Sequence, residues 1–310
     1  MDRPEVESRK AELEHEHGPW TAHNVRLADG LFTIGPAPSG DEVKLRRVLQ
    51  VVADLAGKPL DQLRVLDLAC LEGMYALEFA TRGAQVVAIE GREANLAKAR
   101  FAAEALGIDG VEWILGDVRD LSRERHGTFD AVLCLGILYH LDAADVFALV
   151  ERIAEVCTSL LVVDTHVAPR PRVSRAHRGR TYSGRILVEH EAGESEAVRM
   201  RRLWSSLDNL RAFAPTRPSL LNLLADNGFP TVLECHLPPE PEKEPHRLTL
   251  AARRGERLAP IVSPLVPDWA PLPERRRRRE PPAVAVVRRL PQPVRSLLRK
   301  AVRRPAPPRL

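Results

Sequence analysis

The chain is poor in aromatic residues (5%) and has three methionines and four cysteines in 310 residues. The cysteines, Cys70, Cys134, Cys157 and Cys235, are widely spaced and form no C-x-x-C pair. That spacing argues against a disulfide framework or a zinc ribbon and predicts buried thiols in a cytoplasmic protein. Long apolar runs are also missing. The longest, Ala131–Leu138 and Leu160–Val163, fall far short of the roughly 20 residues a membrane-spanning helix needs. The opening stretch MDRPEVESRKAELEHEHG is charged and lacks the apolar centre of a secretory signal. His15 and His17 sit among glutamates with no third ligand nearby, so no metal site is expected.

What is present in excess is basic charge at one end. From residue 253 onward the chain carries 16 Arg or Lys and 4 Asp or Glu; the preceding residues carry 30 and 38. The body is therefore mildly acidic, and the isoelectric point of about 9.0 describes the tail. Residues 255–310 are Pro- and Arg-rich and are predicted to be disordered. The stretch 283–304 alternates apolar and basic residues. It is a candidate contact for an anionic membrane surface, an acidic partner or RNA, but has no aromatic residue for stacking.

Between the ends, strand and helix patterns alternate. Residues 1–39 read as an N-terminal arm: a charged, frayed helix, then an irregular covering segment. Ser39 and Asp41 offer capping chemistry for a helix carrying Val43, Leu45, Val48, Leu49, Val52 and Leu55 at helical spacing. Strands are predicted at Arg64–Ala69, Gln85–Glu90, Val111–Leu115, Phe129–Leu135, Leu160–Thr165, Thr231–His236 and Arg247–Ala252. Helices are predicted at Met74–Arg82, Glu93–Leu106, Ala143–Cys157 and Ser219–Asn227. Nearly continuous apolar strands alternating with helices predict an α/β fold with a doubly wound, mostly parallel sheet. The last two strands, linked by a Pro-rich segment, form an antiparallel pair at the edge. Residues 40–254 make the main domain, and about 166–215 read as an inserted cap.

The stretch 65–90, VLDLACLEGMYALEFATRGAQVVAIE, carries the chemistry. It reads as strand, tight turn, helix and second strand ending on an acid. In such sheets ligands bind at the carboxyl ends of the strands. Asp67, Glu90 and Asp117 end three successive strands. Glu90 is placed to accept from ribose hydroxyls, and Asp117 from an adenine amine, with Val118 offering its N–H. Gly73 lies in the turn, where a missing side chain lets a ligand approach. A pyrophosphate needs several glycines there; Ala69 and Leu71 stand in two of those places, and Glu72 would repel an anion. A sulfonium nucleoside is compatible with all three.

The run VLDLACLEG, VVAIEGR, GDV and FDAVLCLGILYHL resembles the class I S-adenosylmethionine-dependent methyltransferases, over roughly residues 40–165 and more weakly to 252. The resemblance implies a Rossmann-like seven-stranded sheet with its last strand antiparallel. It implies S-adenosylmethionine held by residues matching Asp67, Gly73, Glu90, Asp117 and Val118, with Ala69 and Leu135 as further contacts. The segment LGILYHL with the later DNLRAFAPTRPSLLNLL is similar to enzymes modifying wobble uridine in transfer RNA. Those transfer a carboxymethyl group with the help of an arginine before the Asn. Asp208 stands there in this chain, so ordinary methyl transfer is expected.

Methyl transfer is an in-line displacement, which demands alignment and exclusion of water, and a base when the acceptor is a hydroxyl. Tyr139, His140 and His166 are the catalytic candidates, with Asp164 beside His166. In the cap, Tyr182, His190, Trp204, Asn209 and Arg217 are candidates for lining the pocket. Trp20, His23 and Asn24 are candidates for closing over the cofactor. The predicted activity is methyl transfer to a small-molecule or sugar-like acceptor. A transfer-RNA modifier docking through its tail and a non-catalytic adenosyl-binding scaffold are the alternatives.

Overall fold

The computed structural model describes residues 1–240, 244–262 and 271–274. The chain divides into units 1–273 and 274–310. The expectations for the stretch 283–304 lie outside the described residues. Among the described residues, no helix is long and apolar enough to cross a membrane.

The arm begins with helix α1 (Arg3–His17), capped by the Asp2 carboxylate and started by a proline. It buries only Val6 but is tied to the body by an ion pair from Arg9 to Glu104, so the frayed helix predicted here is a docked one. A small hairpin, β1 (Arg26–Ala28) and β2 (Leu31–Phe32), follows. Helix α2 (Asp41–Leu55) begins after Gly40. The expected caps act differently: the Glu42 carboxylate accepts from the backbone of Ser39 and Gly40 at 2.9 Å each, and Asp41 pairs with Lys44 one turn on.

The core elements then run β3 (Arg64–Leu68), α3 (Met74–Ala80), β4 (Gln85–Glu90), α4 (Glu93–Leu106), β5 (Val111–Leu115), α5 (Arg123–His126), β6 (Phe129–Leu135), α6 (Ala143–Val156) and β7 (Cys157–His166). After β8 (Val173–His177), β9 (Arg180–Val188), α7 (Glu196–Arg201) and β10 (Arg211–Pro215) come α8 (Arg217–Asp226), β11 (Thr231–Glu234) and β12 (Arg247–Arg253). The main sheet has seven strands in the order β11-β12-β7-β6-β3-β4-β5. Strands β7 to β5 are parallel, and β12 is antiparallel to both neighbours, as the resemblance implies.

Alternation along each strand sends side chains to two cores. Leu66, Leu68, Val87 and Ile89 face α6 and α8. Val65, Val86 and Ala88 face α2, α3 and α4. Burying each such side chain stabilises the fold by roughly 1.5–3 kcal/mol. Strand order reverses beside β3, whose neighbours are β4 and β6, and that opens a crevice at the carboxyl ends.

Residues 166–215 are less cap-like than their composition suggested. Strands β8, β9 and β10 form a separate antiparallel sheet. That sheet packs on α6 and α8 through Phe213 and Tyr182, both buried. The Tyr182 hydroxyl donates to Asp226 on α8 at 2.8 Å, so this tyrosine is a core residue. Only the connection between β9 and β10 reaches the crevice.

Candidate active site

The crevice is a cavity of about 300 Å³, within the size range of nucleoside and cofactor pockets. Its floor comes from the strand ends: Asp67, Ala69, Cys70, Leu71, Glu90 to Arg92, Gly116, Val118 and Leu135 to Ile137. Tyr139 and His140 continue that floor. The arm and α2 supply Ala22, His23, Asp41 and Lys44; the cap supplies Leu203, Trp204 and Leu207; β12 supplies Arg247. The sequence pattern thus placed Asp67, Ala69, Glu90, Val118, Leu135, Tyr139, His140, His23 and Trp204 in one cavity.

The turn after β3 keeps its shape without its glycines. Ala69 and Leu71 both take positive φ, 53° and 52°, and Gly73 follows at 81°. An L-residue pays roughly 1–2 kcal/mol for that conformation. The Leu71 N–H is held by the Glu90 carboxylate at 2.9 Å and Cys70 N–H by the Ile89 carbonyl, which fix the turn against β4. Glu90 also accepts from Arg92 N–H and Asn95 Nδ2. Burial pushes its carboxyl up despite these donors.

Gly73 does not face the cavity. A Cβ there would lie 2.8 Å from Ala99 and from Trp113, so packing of α4 and β5 and the positive φ require glycine, rather than ligand approach. Asp117 is corrected likewise. Its carboxylate accepts from the backbone and guanidinium of Arg119, and its neighbours Gly116 and Val118 line the cavity instead.

Glu72 has a different task from the one its charge suggested. It is fully buried and turned toward the arm. Its two oxygens accept from the backbone N–H groups of Thr21 (2.7 Å), Ala22 (3.2 Å) and His23 (3.0 Å), and Lys98 lies 3.7 Å away. Its carboxylate is satisfied inside the arm joint by these donors. The joint brings His23 onto α3, where Nδ1 accepts from the Met74 N–H at 3.2 Å. Burial holds that imidazole neutral, with its pKa lowered to about 4. Trp20 packs over Lys98, and Asn24 staples the 35–37 loop, so neither touches the cavity.

Two buried polar atoms in the wall have no hydrogen-bond partner among the described residues: Asp67 Oδ2 and Tyr75 Oη. Burial pushes the Asp67 carboxyl up to about 8, with the Ala76 N–H opposing and Glu90 adding to the rise. A buried carboxyl that lines a cavity with one oxygen unpartnered among the described residues fits a cationic ligand group, which would supply the missing partner. Lys44, paired with Asp41 at 2.8 Å, lines the same cavity, as do Arg92 and Arg247. Cation and acid together suit the zwitterionic end of an amino-acid-bearing nucleoside, and Glu90 suits its ribose.

On the acceptor side, the His140 Nδ1 lies 2.8 Å from Glu189 Oε2. Burial would raise Glu189, but His140 and the Ser206 N–H outweigh it and hold the carboxyl below its ordinary range. His140 Nε2 has no protein partner among the hydrogen bonds of the described residues. His166 and Asp164 do not line the cavity. His166 stands edge-on to Tyr139 at 4.6 Å, and Asp164 is buried beneath Arg247 and Thr249 at 2.6 and 2.7 Å. Burial would raise Asp164, yet Arg247 and Lys44 hold it below the usual carboxylate range.

Of the other cap residues, His190 bonds the Ser206 carbonyl, Asn209 the His140 carbonyl and Arg217 the Glu234 carboxylate. Asp208 pairs with Arg119 outside the cavity, so it exerts no direct contact on a ligand there. Lys44, Tyr75, Arg92, Glu189 and Arg247 escaped the sequence reading. Lys44 and Asp41 carried a faint signal, as an i, i+3 acid–base pair entering the first strand–helix unit; Glu189 carried none.

Comparison with known proteins agrees with this fold. Residues 65–159 match the family model for a methyltransferase domain. Over 126 residues the chain is 31% identical to a ubiquinone biosynthesis O-methyltransferase of Acinetobacter baumannii (strain AYE), covering 40% of this chain and 48% of that protein. It is 40% identical over 90 residues to the protein of the same name from Methylocella silvestris, covering 29% and 34%. The chain thus spans about half or less of the curated relatives it matches. The solved N-terminal domain of EvdMO1, with S-adenosylhomocysteine and D-fucose, aligns over 82% of this chain and 98% of that one, with 26% identity and a TM-score of 0.63. The strand order, the turn after β3 and these matches together give residues 65–159 as a methyltransferase domain with the fold and cofactor class of the S-adenosylmethionine-dependent enzymes.

Proposed function

We propose that the protein transfers a methyl group from S-adenosylmethionine to a hydroxyl of a small, ring-shaped acceptor, with a sugar-like ring as the leading class. The observation that carries this reading is the His140–Glu189 pair at the cavity wall, with Nε2 left free. An alcohol is a poor nucleophile until its proton is removed, and a carboxylate-oriented imidazole is suited to removing it. The likeness to a domain solved with D-fucose, and the curated O-methyltransferase relatives, support the acceptor class. Leu203, Leu207 and the 64%-exposed Trp204 offer an apolar wall for a ring face.

When bound, S-adenosylmethionine supplies an electrophilic methyl group on a sulfonium. Asp67 would hold its ammonium, Lys44 its carboxylate and Glu90 its ribose hydroxyls, and Ile137 and Val118 would line the space for its base. The arm, fixed by Glu72, keeps water from that end. His140 Nε2 accepts the acceptor's hydroxyl proton, and Glu189 stabilises the resulting imidazolium through Nδ1. Tyr139 and Arg247 face the same space and orient the acceptor.

The test is to incubate the protein with methyl-labelled cofactor and a panel of sugars, phenols and transfer RNA. Label is expected in a small hydroxylated molecule as an ether. His140→Gln is expected to lower kcat about 100-fold, with the affinity for S-adenosylhomocysteine unchanged. Label in transfer RNA alone would overturn the acceptor class, and cofactor binding without turnover on any acceptor would favour a scaffold.

A further inference from the structure

Arg92 follows Glu90 by two residues and lines the cavity with it, while its guanidinium reaches the cap. Its Nη2 donates to the carbonyls of Ser205 at 2.9 Å, Ser206 at 3.0 Å and Arg199 at 3.5 Å; its Nε donates to Met200 at 3.2 Å. Two of those carbonyls belong to the last turn of α7, the negative end of the helix. Its backbone N–H meanwhile donates to Glu90 Oε1 at 3.0 Å. One residue therefore joins the acid at the end of β4 to the segment that carries Leu203, Trp204 and Leu207.

The residue between them completes the joint. A Cβ on Gly91 would lie 2.6 Å from Leu207 Cδ1, so the cap sits directly on bare backbone. The cap is joined in turn to the acceptor side. Ser206 N–H donates to Glu189 Oε2 at 2.8 Å, the same oxygen that lies 2.8 Å from His140 Nδ1. Ser206 also accepts from His190 through its carbonyl. A continuous set of bonds thus runs from Glu90 through Arg92 and Ser206 to Glu189 and His140.

We propose that Gly91 and Arg92 are positioning residues that dock the cap segment 199–207 and, through Ser206 and Glu189, fix the imidazole of His140. Arginine suits this task because its planar fork spans several carbonyls at once; a lysine ammonium is a point donor. The inference rests on the reading of His140 as the base, but the docking itself can be measured without turnover.

Three measurements on the full chain test it, using Arg92→Gln, Arg92→Lys and Gly91→Ala. By hydrogen exchange and mass spectrometry, the peptide spanning 199–207 in Arg92→Gln is expected to exchange at least tenfold faster, and peptides around 65–73 at the wild-type rate. By calorimetry, the Kd for S-adenosylhomocysteine is expected to change less than threefold. With an acceptor in hand, kcat is expected to fall at least tenfold, with Arg92→Lys restoring little of it. Gly91→Ala leaves Arg92 in place and is expected to shift the same two readouts in the same direction, which covers the case that Arg92→Gln does not fold. Unchanged exchange in the cap peptide of both variants overturns the docking. A Kd that rises as much as turnover falls would show Arg92 to be a cofactor ligand instead. Faster cap exchange with wild-type kcat would retain the docking but refute its effect on His140. Absence of turnover in wild type, with cap exchange still altered in the variants, would remove the proposed activity and leave the docking standing.

Discussion

The floor of the cavity comes from the ends of neighbouring parallel strands, whereas its covers come from segments far away in sequence. Of the floor residues, Asp67, Glu90 and Leu135 lie at the ends of strands of the main sheet, and Val118 shortly follows another. The arm is held over it by Glu72, 51 residues from Thr21, and the cap by Arg92, 113 residues from Ser205. Both joints use one buried charged side chain against several backbone groups: Glu72 accepts from N–H groups, and Arg92 donates to carbonyls. Backbone groups left without partners in a loop are costly when buried, so one polyvalent side chain can fix a whole segment. The floor is positioned by the sheet itself and the covers by two residues that grow from the floor's own turns.

The sharpest way to break this comparison is at the arm. Glu72→Ala leaves three backbone N–H groups without their acceptor and Lys98 without its counter-ion, its bond to the Pro19 carbonyl remaining. Stability is expected to drop by about 3–5 kcal/mol, read from urea unfolding with tryptophan fluorescence. A drop below 1 kcal/mol would show that the arm is held elsewhere. On the floor, Glu90→Ala is expected to weaken S-adenosylhomocysteine about 100-fold by calorimetry, a charge-assisted pair of bonds being worth about 3 kcal/mol. An unchanged affinity would mean that the nucleoside lies elsewhere in the cavity.

The most gradual expected effect, spread over about two pH units, concerns Asp67. Its carboxyl titrates near 8 in the free protein, because burial disfavours the charged form. An ammonium group needs that carboxylate ionised, so binding releases a proton whenever the pH lies below about 8. Affinity for S-adenosylmethionine should therefore rise with pH, by up to about tenfold per unit between roughly 6 and 8, and level off above. Asp67→Asn should abolish the slope, and a flat profile in the unchanged protein would sink the assignment. The same group makes folding less favourable as pH rises from about 4 to 8, because the unfolded carboxyl ionises first.

Much of the floor was legible because period and position are local properties. The strands at 64–68, 85–90, 111–115 and 129–135 follow from short apolar runs bounded by turns, and acids at their ends point to the crevice. The Gly73 and Asp117 assignments failed for a related reason. Position at a strand end is local, but the direction of a side chain depends on what packs beside it: Trp113 and Ala99 for one, Arg119 for the other. His166 lies one residue past Thr165 on an extended strand, yet Tyr139 occupies the space between it and the acceptor side. The cap's composition hid a three-stranded sheet because β8 exposes Ser174 to Ala176 and β9 buries Tyr182 to Gly184 in a row, so neither strand alternates.

Sequence alone determined the alternating α/β order, the nucleoside-binding end of the sheet and the class of cofactor. It also showed two residues, Ala69 and Leu71, where glycines are usual. Only the tertiary structure decided that these two adopt the glycine conformation, because Glu90 and Ile89 hold the turn from the next strand. It likewise decided that Glu72 holds the arm, that Glu189 meets His140 and that Arg92 meets the cap. Local pattern fixes where a strand ends; which groups meet there depends on buried polar atoms finding partners across the whole chain.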